Sequence, residues 1–404
     1  MTAIELAGLP GTDVSALRDL DWAGTRLRVR DLNVAFTPDG VRRDVVRGVS
    51  FDLDAGACVA IVGESGSGKS VTARSLVGLA GRGSIVEAAE LQLHGEDVAG
   101  FGPRDWRRVR GRDVGFILQD ALVSLDPLRP VGAEIAESLR LHGWTERAAR
   151  ERKVLELLES VGVPNPRLRA RQRPDQLSGG LRQRALIASA IAVDPDVVIA
   201  DEPTTALDVT VQAQILELLS DLKTKHGMSM LFITHDLGIV RKFADRVCVM
   251  TKGKIVETGT VEQVFNDPQH AYTRHLLAAE PKGEPPHSDA SKPVVMQGDD
   301  IKVWFPIKAG LMRRVVDHVK AVDGIDITLR AGQTVGVVGE SGSGKTTLGL
   351  ALSRLIASKG RISFIGQSID HYSYEMMKPL RNRLQVVFQD PYGSLSPRMS
   401  VGEI

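Results

Sequence analysis

A glycine-rich segment that could hold phosphate groups occurs almost twice in the chain. Residues 63–70 read Gly-Glu-Ser-Gly-Ser-Gly-Lys-Ser, and residues 339–346 repeat the first seven of them and end in threonine. Glycines let a loop turn its backbone N–H groups inward, and a helix that begins there adds positive potential. The lysine can then reach the terminal phosphates of a nucleotide, while the Ser or Thr hydroxyl ligates Mg²⁺. The predicted contacts are Gly63, Glu64, Ser65, Gly66, Ser67, Gly68, Lys69 and Ser70, and Gly339, Glu340, Ser341, Gly342, Ser343, Gly344, Lys345 and Thr346.

Four polar residues that could assist phosphate chemistry each stand directly after a short apolar run. They are Gln119, the adjacent pair Asp201 and Glu202, and His235. In an open parallel sheet the carboxyl ends of the strands meet at the ligand crevice. Adjacent carboxylates are costly unless a cation lies there, so one suits a Mg²⁺ shell and the other can position or deprotonate water. Taken alone, such a glutamine is more often a loop residue and such a histidine is more often structural.

Two further features have both a functional and an ordinary structural interpretation. Leu177-Ser178-Gly179-Gly180 stands before a predicted helix, where it can form a second anion-binding helix N-terminus or an ordinary N-cap. Two glycines after a cap are costly unless something approaches the backbone closely. Phe36 lies in a predicted strand, where it can stack on a purine or pack against the sheet, and its position favours neither.

The elements that must position these residues follow from the apolar pattern. Strands are predicted over 27–36, 49–53, 58–62, 90–93, 114–118, 197–203 and 230–234, and over 335–338 before the second phosphate segment. Helices are predicted over 71–79, 135–141, 146–161, 181–193 and 210–223.

Composition narrows the possible classes of protein. A length of 404 residues suggests two or three domains, and a net charge of +1 gives no indication of a nucleic-acid partner. Cys58 and Cys248 lie in apolar runs, so we expect reduced core residues rather than a disulfide or a metal site. We expect no signal peptide and no membrane span, so any membrane role would be played from the cytoplasmic side through a partner.

The order of these features resembles the ATP-binding-cassette (ABC) ATPases. The phosphate segment is followed by Gln119, Leu-Ser-Gly-Gly at 177–180, the Asp-Glu pair at 201–202, and His235. Leu-Ser-Gly-Gly is the most discriminating part, because other P-loop enzymes lack it. The segments that look like the peptide/nickel subfamily of bacterial importers are 124–127, 201–210 and 268–273. With two phosphate segments, the chain is most similar to fused, tandem-cassette ATPases of the microcin-C and oligopeptide type.

The resemblance implies a role for each matching residue. Phe36, and in the second copy Phe305, would stack on adenine. Lys69 would hold the β- and γ-phosphates, Glu202 would be the general base, and His235 would contact the γ-phosphate. The Mg²⁺ and water shell would comprise Ser70, Gln119 and Asp201 in the first copy, and Thr346 and Gln389 in the second. The residues that would close over ATP held by the opposite cassette are Ser178, Gly179 and Gly180.

The implied fold is an α/β P-loop cassette with a parallel core sheet, an antiparallel β subdomain and a helical subdomain, duplicated with an incomplete second copy. The predicted ranges are a tail (1–25), a first nucleotide-binding domain (26–281, with its helical subdomain at about 121–176), a linker (282–299) and the N-terminal part of a second such domain (300–404). The second copy shows no Ser-Gly-Gly, Asp-Glu or His counterpart. We expect the natural protein to be longer by roughly 140 residues, because a half-formed sheet would expose apolar edges.

The function implied is that of an ATPase that uses ATP and Mg²⁺ to drive a bacterial importer of oligopeptides or dipeptides. Its partners would be two membrane permease subunits, touched through the helical subdomain, and an extracytoplasmic solute-binding protein, with no nucleic acid. Cassettes would pair within the chain or between chains, peripherally on the cytoplasmic face of the inner membrane. Residues 260–300 contain no cysteine, so we expect no iron–sulfur cluster. The alternative is a soluble tandem ABC ATPase acting on ribosomes or DNA, which the short linker and two cysteines disfavour.

Overall fold

A computed structural model of the protein describes residues 24–119, 124–205, 207–279, 289–309, 314–340, 342–388 and 394–404. Two of the predicted site residues, Ser341 and Gln389, lie outside these ranges, as does most of the predicted tail. The chain divides into two compact units, residues 1–282 and 283–404.

The strands of the first unit form two sheets. They are β1 (Thr25–Phe36), β2 (Arg43–Asp54), β3 (Cys58–Val62), β4 (Ser84–Glu87), β5 (Glu90–Leu93), β6 (Glu96–Asp97), β7 (Val114–Ile117), β8 (Val197–Asp201), β9 (Ser229–Thr234), β10 (Arg246–Thr251) and β11 (Lys254–Thr260). One sheet has the order β2-β1-β5-β6, with β4 also on β1, and its pairs are antiparallel. The other has the order β11-β10-β3-β9-β8-β7, and it is parallel except for the pair of β10 with β11.

Strand β8 shows how the core is divided. Val198 and Ala200 belong to an apolar cluster that continues into the helical region, whereas Val197 and Ile199 belong to a second cluster shared with β1 and β2. Alternate side chains of the strand therefore enter two different cores. A parallel sheet buried on both faces needs such a continuous apolar run, which is why the sequence predicted β3, β8 and β9 closely.

The helices of the first unit were predicted less closely than its strands. They are α1 (Lys69–Ser75), α2 (Pro103–Val109), α3 (Val131–Leu141), α4 (Arg147–Ser160), α5 (Pro166–Arg169), α6 (Gly179–Ala190), α7 (Val209–His226), α8 (Leu237–Phe243), α9 (Val261–Asn266) and α10 (Ala271–Ala278). No helix in the described ranges combines the length and the apolar character needed to cross a membrane.

Helix α1 ends four residues before the predicted end at 79. Gly78 has a φ of +62°, and the amide of Leu79 donates to the carbonyl of Arg74 at 2.7 Å, which is a typical helix termination. A Cβ on Gly78 would lie 2.5 Å from the ring of Trp106. The tryptophan packs directly on the glycine backbone, and this long-range contact is not visible in the local helical spacing.

The second unit has an antiparallel sheet in the order β13-β12-β14-β15. Its elements are β12 (Val294–Ala309), β13 (Arg314–Arg330), α11 (Lys345–Leu352), β14 (Lys359–Phe364), β15 (Gln367–Ser368) and α12 (Tyr374–Met377). A small core includes Ile301, Val322, Ala351 and Ile362.

Two predictions for the second unit are wrong in part. Residues 335–338 form no strand, and Val338 is 92% exposed. The corresponding strand of the first unit, β3, lies between β9 and β10, and the strands described in the second unit include no counterpart of either. The last six residues of the predicted linker, 294–299, belong to β12, because an apolar run starting at Val294 finds partners on β13 and β14.

Candidate functional site

The first phosphate segment is a loop between β3 and α1, and its lysine is turned inward. Lys69 is only 4% exposed. Its Nζ donates to the carbonyl oxygens of Gly63 at 2.7 Å and Glu64 at 2.9 Å, and lies 3.4 Å from the hydroxyl of Ser67. Burial lowers the pKa of Lys69, against the opposing effect of the nearby carboxylates. The ammonium group is therefore held inside a ring of loop oxygens.

Glycines are required in this loop for two different reasons. A Cβ on Gly63 would lie 2.0 Å from the carbonyl oxygen of Met250, so the end of β10 leaves no room for a side chain. Gly68, which caps α1, has a φ of +106°, and a Cβ there would lie 2.9 Å from the methyl group of Met250 and 3.1 Å from the carbonyl oxygen of Val45. Gly66 has a φ of +80° but would meet nothing within 4 Å, so this side of the loop is open. Such an open glycine turn can cradle a phosphate.

Asp201 and Ser70 form the part of the site that could hold a metal ion. The Ser70 hydroxyl donates to Oδ1 of Asp201 at 2.8 Å, at the carboxyl end of β8. Asp201 is fully buried, and its Oδ2 accepts no hydrogen bond in the described structure, although Nη2 of Arg74 lies 3.8 Å away. Burial raises the pKa of Asp201, against the effects of Ser70 and Arg74. A buried carboxylate oxygen without a donor, beside a hydroxyl, fits a hard cation such as Mg²⁺.

Glu202 is the centre of a second group of polar contacts. Its φ of +48° is unusual for a non-glycine residue, and its amide donates to the carbonyl of Ile233 at 2.9 Å. Nε2 of Gln119 donates to its Oε2 at 3.1 Å, while Nδ1 of His235 lies 3.4 Å from Oε1. The left-handed backbone thus aims this carboxylate towards the ends of β7 and β9. Strained residues of this kind are common at functional sites.

The structure brings together six of the residues that the sequence singled out. They are Lys69, Ser70, Gln119, Asp201, Glu202 and His235. All six lie at the carboxyl ends of strands of one sheet or just after the loop that follows β3, as the rule for open parallel sheets predicts. Their catalytic roles stay predictions.

Ser178 directly precedes helix α6 and is its N-cap residue. Its side chain accepts from the amide of Leu181 at 3.4 Å, so Ser178 makes the contact expected of an ordinary N-cap residue. A Cβ on Gly180 would lie 2.7 Å from a methyl group of Val211, and one on Gly179 would lie 3.5 Å from Leu207. Gly180 is therefore required by packing against α7. The predicted closure of Ser178, Gly179 and Gly180 over a nucleotide stays a prediction.

Phe36 and Phe305, the predicted adenine platforms, both lie in antiparallel strands. Phe36 is half-buried and packs against the cluster shared by β1 and β2. Phe305 lies opposite Val319 on β13 and is 47% exposed. Their role towards adenine stays a prediction.

The second phosphate segment repeats the internal contacts of the first. Nζ of Lys345 donates at 2.7 Å to the carbonyl oxygens of both Gly339 and Glu340, and lies 3.5 Å from Ser343. A Cβ on Gly344 would lie 2.0 Å from the carbonyl oxygen of Ala321. The other described positions of this segment, Gly342 and Thr346, are exposed. The described residues of this loop therefore make the same lysine contacts as in the first, with more solvent around them.

Sequence reasoning missed three residues that contact the site. Arg74 lies beside Asp201, and the hydroxyl of Thr205 donates to Oε2 of Glu202 at 2.9 Å. The hydroxyl of Tyr272 accepts from the amide of Glu64 at 3.2 Å. Arg74 was detectable as the residue one helical turn beyond Ser70, and Thr205 as the neighbour of the acidic pair. Tyr272 is 208 positions from its partner, and no local pattern links them.

The chain is similar to known proteins of one family. The family description "ABC transporter" matches residues 46–205 and 322–404. The "Peptidoglycan transport ATP-binding protein YejF" of Agrobacterium fabrum is 72% identical over 379 residues, covering 94% of this chain and 69% of that protein. The "Glutathione import ATP-binding protein GsiA" of Escherichia coli is 44% identical over 417 residues, covering 94% of this chain and 66% of that protein. The chain thus spans about two thirds of each.

A solved structure is similar in fold. It is a dimeric, post-hydrolysis state of the ATP-binding cassette MJ0796 bound to ADP and Pi, with a TM-score of 0.52 and 25% sequence identity. The match covers 58% of this chain and 98% of that one.

Proposed function

The chain belongs to the ABC transporter family of ATP-binding proteins, and from this premise we propose that it hydrolyses ATP to drive uptake of peptide-class solutes through a separate membrane permease. Family, α/β cassette fold and ATPase class agree with the expectations from the sequence. The duplication stays a proposal. The names of the similar proteins support a peptide-class solute, because glutathione is a tripeptide and peptidoglycan carries short peptides. They also favour transport over the ribosome or DNA alternative.

The ATPase proposal is supported above all by one observation: Lys69, Ser70, Gln119 and His235 lie around Asp201 and Glu202 at the carboxyl end of the parallel sheet. Lys69 binds the terminal phosphates, and Ser70 with Asp201 holds Mg²⁺. When bound, Mg²⁺ would neutralise part of the negative charge of the phosphates. Glu202 accepts the proton of the attacking water, which Gln119 helps to orient, and the exposed His235 contacts the γ-phosphate. This division of roles needs positioning and charge neutralisation but no covalent intermediate.

The proposal extends to partners and location. The Ser-Gly-Gly turn that begins α6 closes over ATP held by another cassette, within the chain or between two chains. Helices α3 to α5 face permease subunits, and a solute-binding protein delivers the peptide from outside. The protein then works at the cytoplasmic face of the membrane.

The experiment that tests the proposal is Glu202→Gln, in the purified protein and in cells of the source organism. We expect ATP hydrolysis to fall about 10²- to 10⁴-fold with ATP binding retained, because the base is lost but the phosphate contacts are not. Uptake of labelled di- and oligopeptides is expected to stop at unchanged protein level. Glu217→Gln, on the exposed face of α7, is the matched control. Unchanged hydrolysis would refute Glu202 as the base, and unchanged peptide uptake with hydrolysis lost would refute the substrate class.

A further inference from the structure

The phosphate loop of the first unit has a contact that lies outside the six converging residues. The hydroxyl of Tyr272, on helix α10, accepts a hydrogen bond from the backbone amide of Glu64 at 3.2 Å. That amide belongs to the peptide group joining Gly63 to Glu64. The carbonyl oxygen of the same peptide group accepts from Nζ of Lys69 at 2.7 Å. One peptide plane is therefore held at its oxygen by the lysine and at its nitrogen by the tyrosine.

Tyr272 is itself fixed by two kinds of contact. Its ring packs against an apolar cluster that contains Val62, the last residue of β3 before the loop, and Val249 of β10. The start of its helix is held by Glu257 of β11, whose two carboxylate oxygens accept from the amides of Gln269 at 2.7 Å and His270 at 3.0 Å. The tyrosine is thus carried by a helix that is attached to the edge of the same sheet from which the loop emerges.

The charge state of Glu257 supports this attachment. Burial would raise the pKa of Glu257, but contacts from Thr273 and from the two backbone amides outweigh it and hold the pKa below its usual value. Glu257 is therefore an anion at neutral pH. An ionised carboxylate makes stronger hydrogen bonds to amides than a neutral acceptor does.

We propose that Tyr272 is a positioning residue of the first phosphate loop, which fixes the Gly63–Glu64 peptide and so sets the affinity for nucleotide. The inference rests on the proposed assignment of this loop to ATP. Glycine on one side of this peptide adds no side-chain restraint to its rotation, so the two hydrogen bonds, from Lys69 to the carbonyl and from the amide to Tyr272, set its orientation. A rotated peptide would withdraw the carbonyl that holds the lysine. Helix α10 and Glu257 thereby become part of the nucleotide site without touching the nucleotide.

The test is Tyr272→Phe in the full 404-residue chain, which removes one oxygen and keeps the ring. Lys345→Ala is included in every protein so that binding reports the first loop only. The matched control is Tyr374→Phe, which makes the same change at a tyrosine that is 74% exposed in the second unit. The measurements are the dissociation constants for ATP and ADP, the split between KM and kcat, and the exchange rate of the Glu64 amide hydrogen without nucleotide.

We expect Tyr272→Phe to weaken nucleotide binding about three- to tenfold, as loss of one hydrogen bond predicts. KM for ATP should rise by the same factor with kcat unchanged, because Tyr272 does not touch the reacting atoms. The Glu64 amide should exchange faster, with no change across α10. Tyr374→Phe should change none of these values.

Three results would overturn the inference. One is unchanged affinity and unchanged Glu64 exchange in Tyr272→Phe. Another is faster exchange throughout α10, which would assign the tyrosine to helix packing alone. If Tyr272→Phe does not fold, Glu257→Gln replaces it. The third overturning result would then be that the amides of Gln269 and His270 become exposed while nucleotide affinity and the exchange rate of the Glu64 amide stay normal. Failure of the parent protein to bind any nucleotide would instead refute the proposed function.

Discussion

The hydroxyl of Ser70 donates a 2.8 Å hydrogen bond to Oδ1 of Asp201, which joins the start of α1 to the end of β8 across 131 positions of sequence. Both groups lie at the edge where the parallel strands end. Oδ2 of the same carboxylate is buried and accepts no hydrogen bond in the described structure. One oxygen therefore fixes the side chain, and the other, which lies 3.8 Å from Nη2 of Arg74, is the one we propose for a cation.

Asp201→Asn should abolish the effect of Mg²⁺ on ATP binding. The amide can still accept from Ser70, but it has lost the negative charge that attracts a divalent cation most strongly. We expect Mg²⁺ to tighten ATP binding in the parent protein and to change it less than about twofold in the variant. Titration of ATP with Mg²⁺ and with EDTA measures this, and Asp221→Asn, on the exposed surface of α7, is the control. A variant that keeps the full Mg²⁺ effect would contradict the assignment.

His235→Ala should slow ATP hydrolysis about 10²- to 10³-fold, as loss of a positioned polar group at the reacting centre does. Binding of ATP should change much less than the rate, because the loop and Lys69 keep their own phosphate contacts and His235 is 60% exposed. The rate is measured in a single turnover. His226→Ala is a closely matched control, since His226 also lies 3.4 Å from a carboxylate oxygen, that of Asp194. Equal rates for the two variants would exclude a special role for His235.

Gly63→Ala should destabilise the first unit much more than Gly66→Ala. A methyl group at 63 would overlap the carbonyl of Met250, which belongs to the backbone of β10 and cannot move freely. At 66 the methyl group meets only solvent, so the cost is the left-handed backbone alone, about 1 kcal/mol. Urea unfolding should therefore show a loss of about 3 kcal/mol or more for Gly63→Ala. Similar midpoints for both variants would mean that the loop does not lie against β10.

The two thiols should be unreactive in the folded protein. Burial raises the pKa of Cys58 to about 12 and also raises that of Cys248. At pH 8 the thiolate fraction of Cys58 would then be on the order of 10⁻⁴, so a thiol reagent should label neither cysteine until urea is added. Because the unfolded thiol ionises near pH 9, the free energy of unfolding should fall as the pH rises above 9. Rapid labelling of the native protein would contradict the burial of β3.

The parallel sheet of the first unit could be predicted from sequence because each strand carries its own signal. Strand β3 was predicted with its observed bounds, and β9 within one residue. The polar residues at the ends of β7, β8 and β9 could be placed together because the parallel topology alone brings the carboxyl ends of the strands to one edge of the sheet. These predictions needed only local pattern and one general rule.

The same reasoning failed where a partner distant in sequence decides the outcome. Residues 335–338 are an apolar run like β3 but form no strand, because the described strands of the second unit offer them no parallel partner. Helix α1 ends early at the left-handed Gly78, against which Trp106 packs. The bond from Glu64 to Tyr272 joins a loop to a helix near the end of the unit. In each case the information lies in a long-range contact.

The two phosphate segments share the sequence of residues 63–69 and 339–345 but differ in how closely solvent approaches their lysines. Lys69 and Lys345 each bond to the two carbonyls at the start of their own loop, so the described residues of both loops make the same lysine contacts. Lys69 is nearly enclosed, whereas Lys345 is half-buried. A charge pair 4 Å apart is worth about 1 kcal/mol in bulk water and about 4 kcal/mol at an effective dielectric constant of 20. The enclosure of Lys69 therefore strengthens its attraction for a phosphate, while the nearby carboxylates of Asp201 and Glu202 act against it.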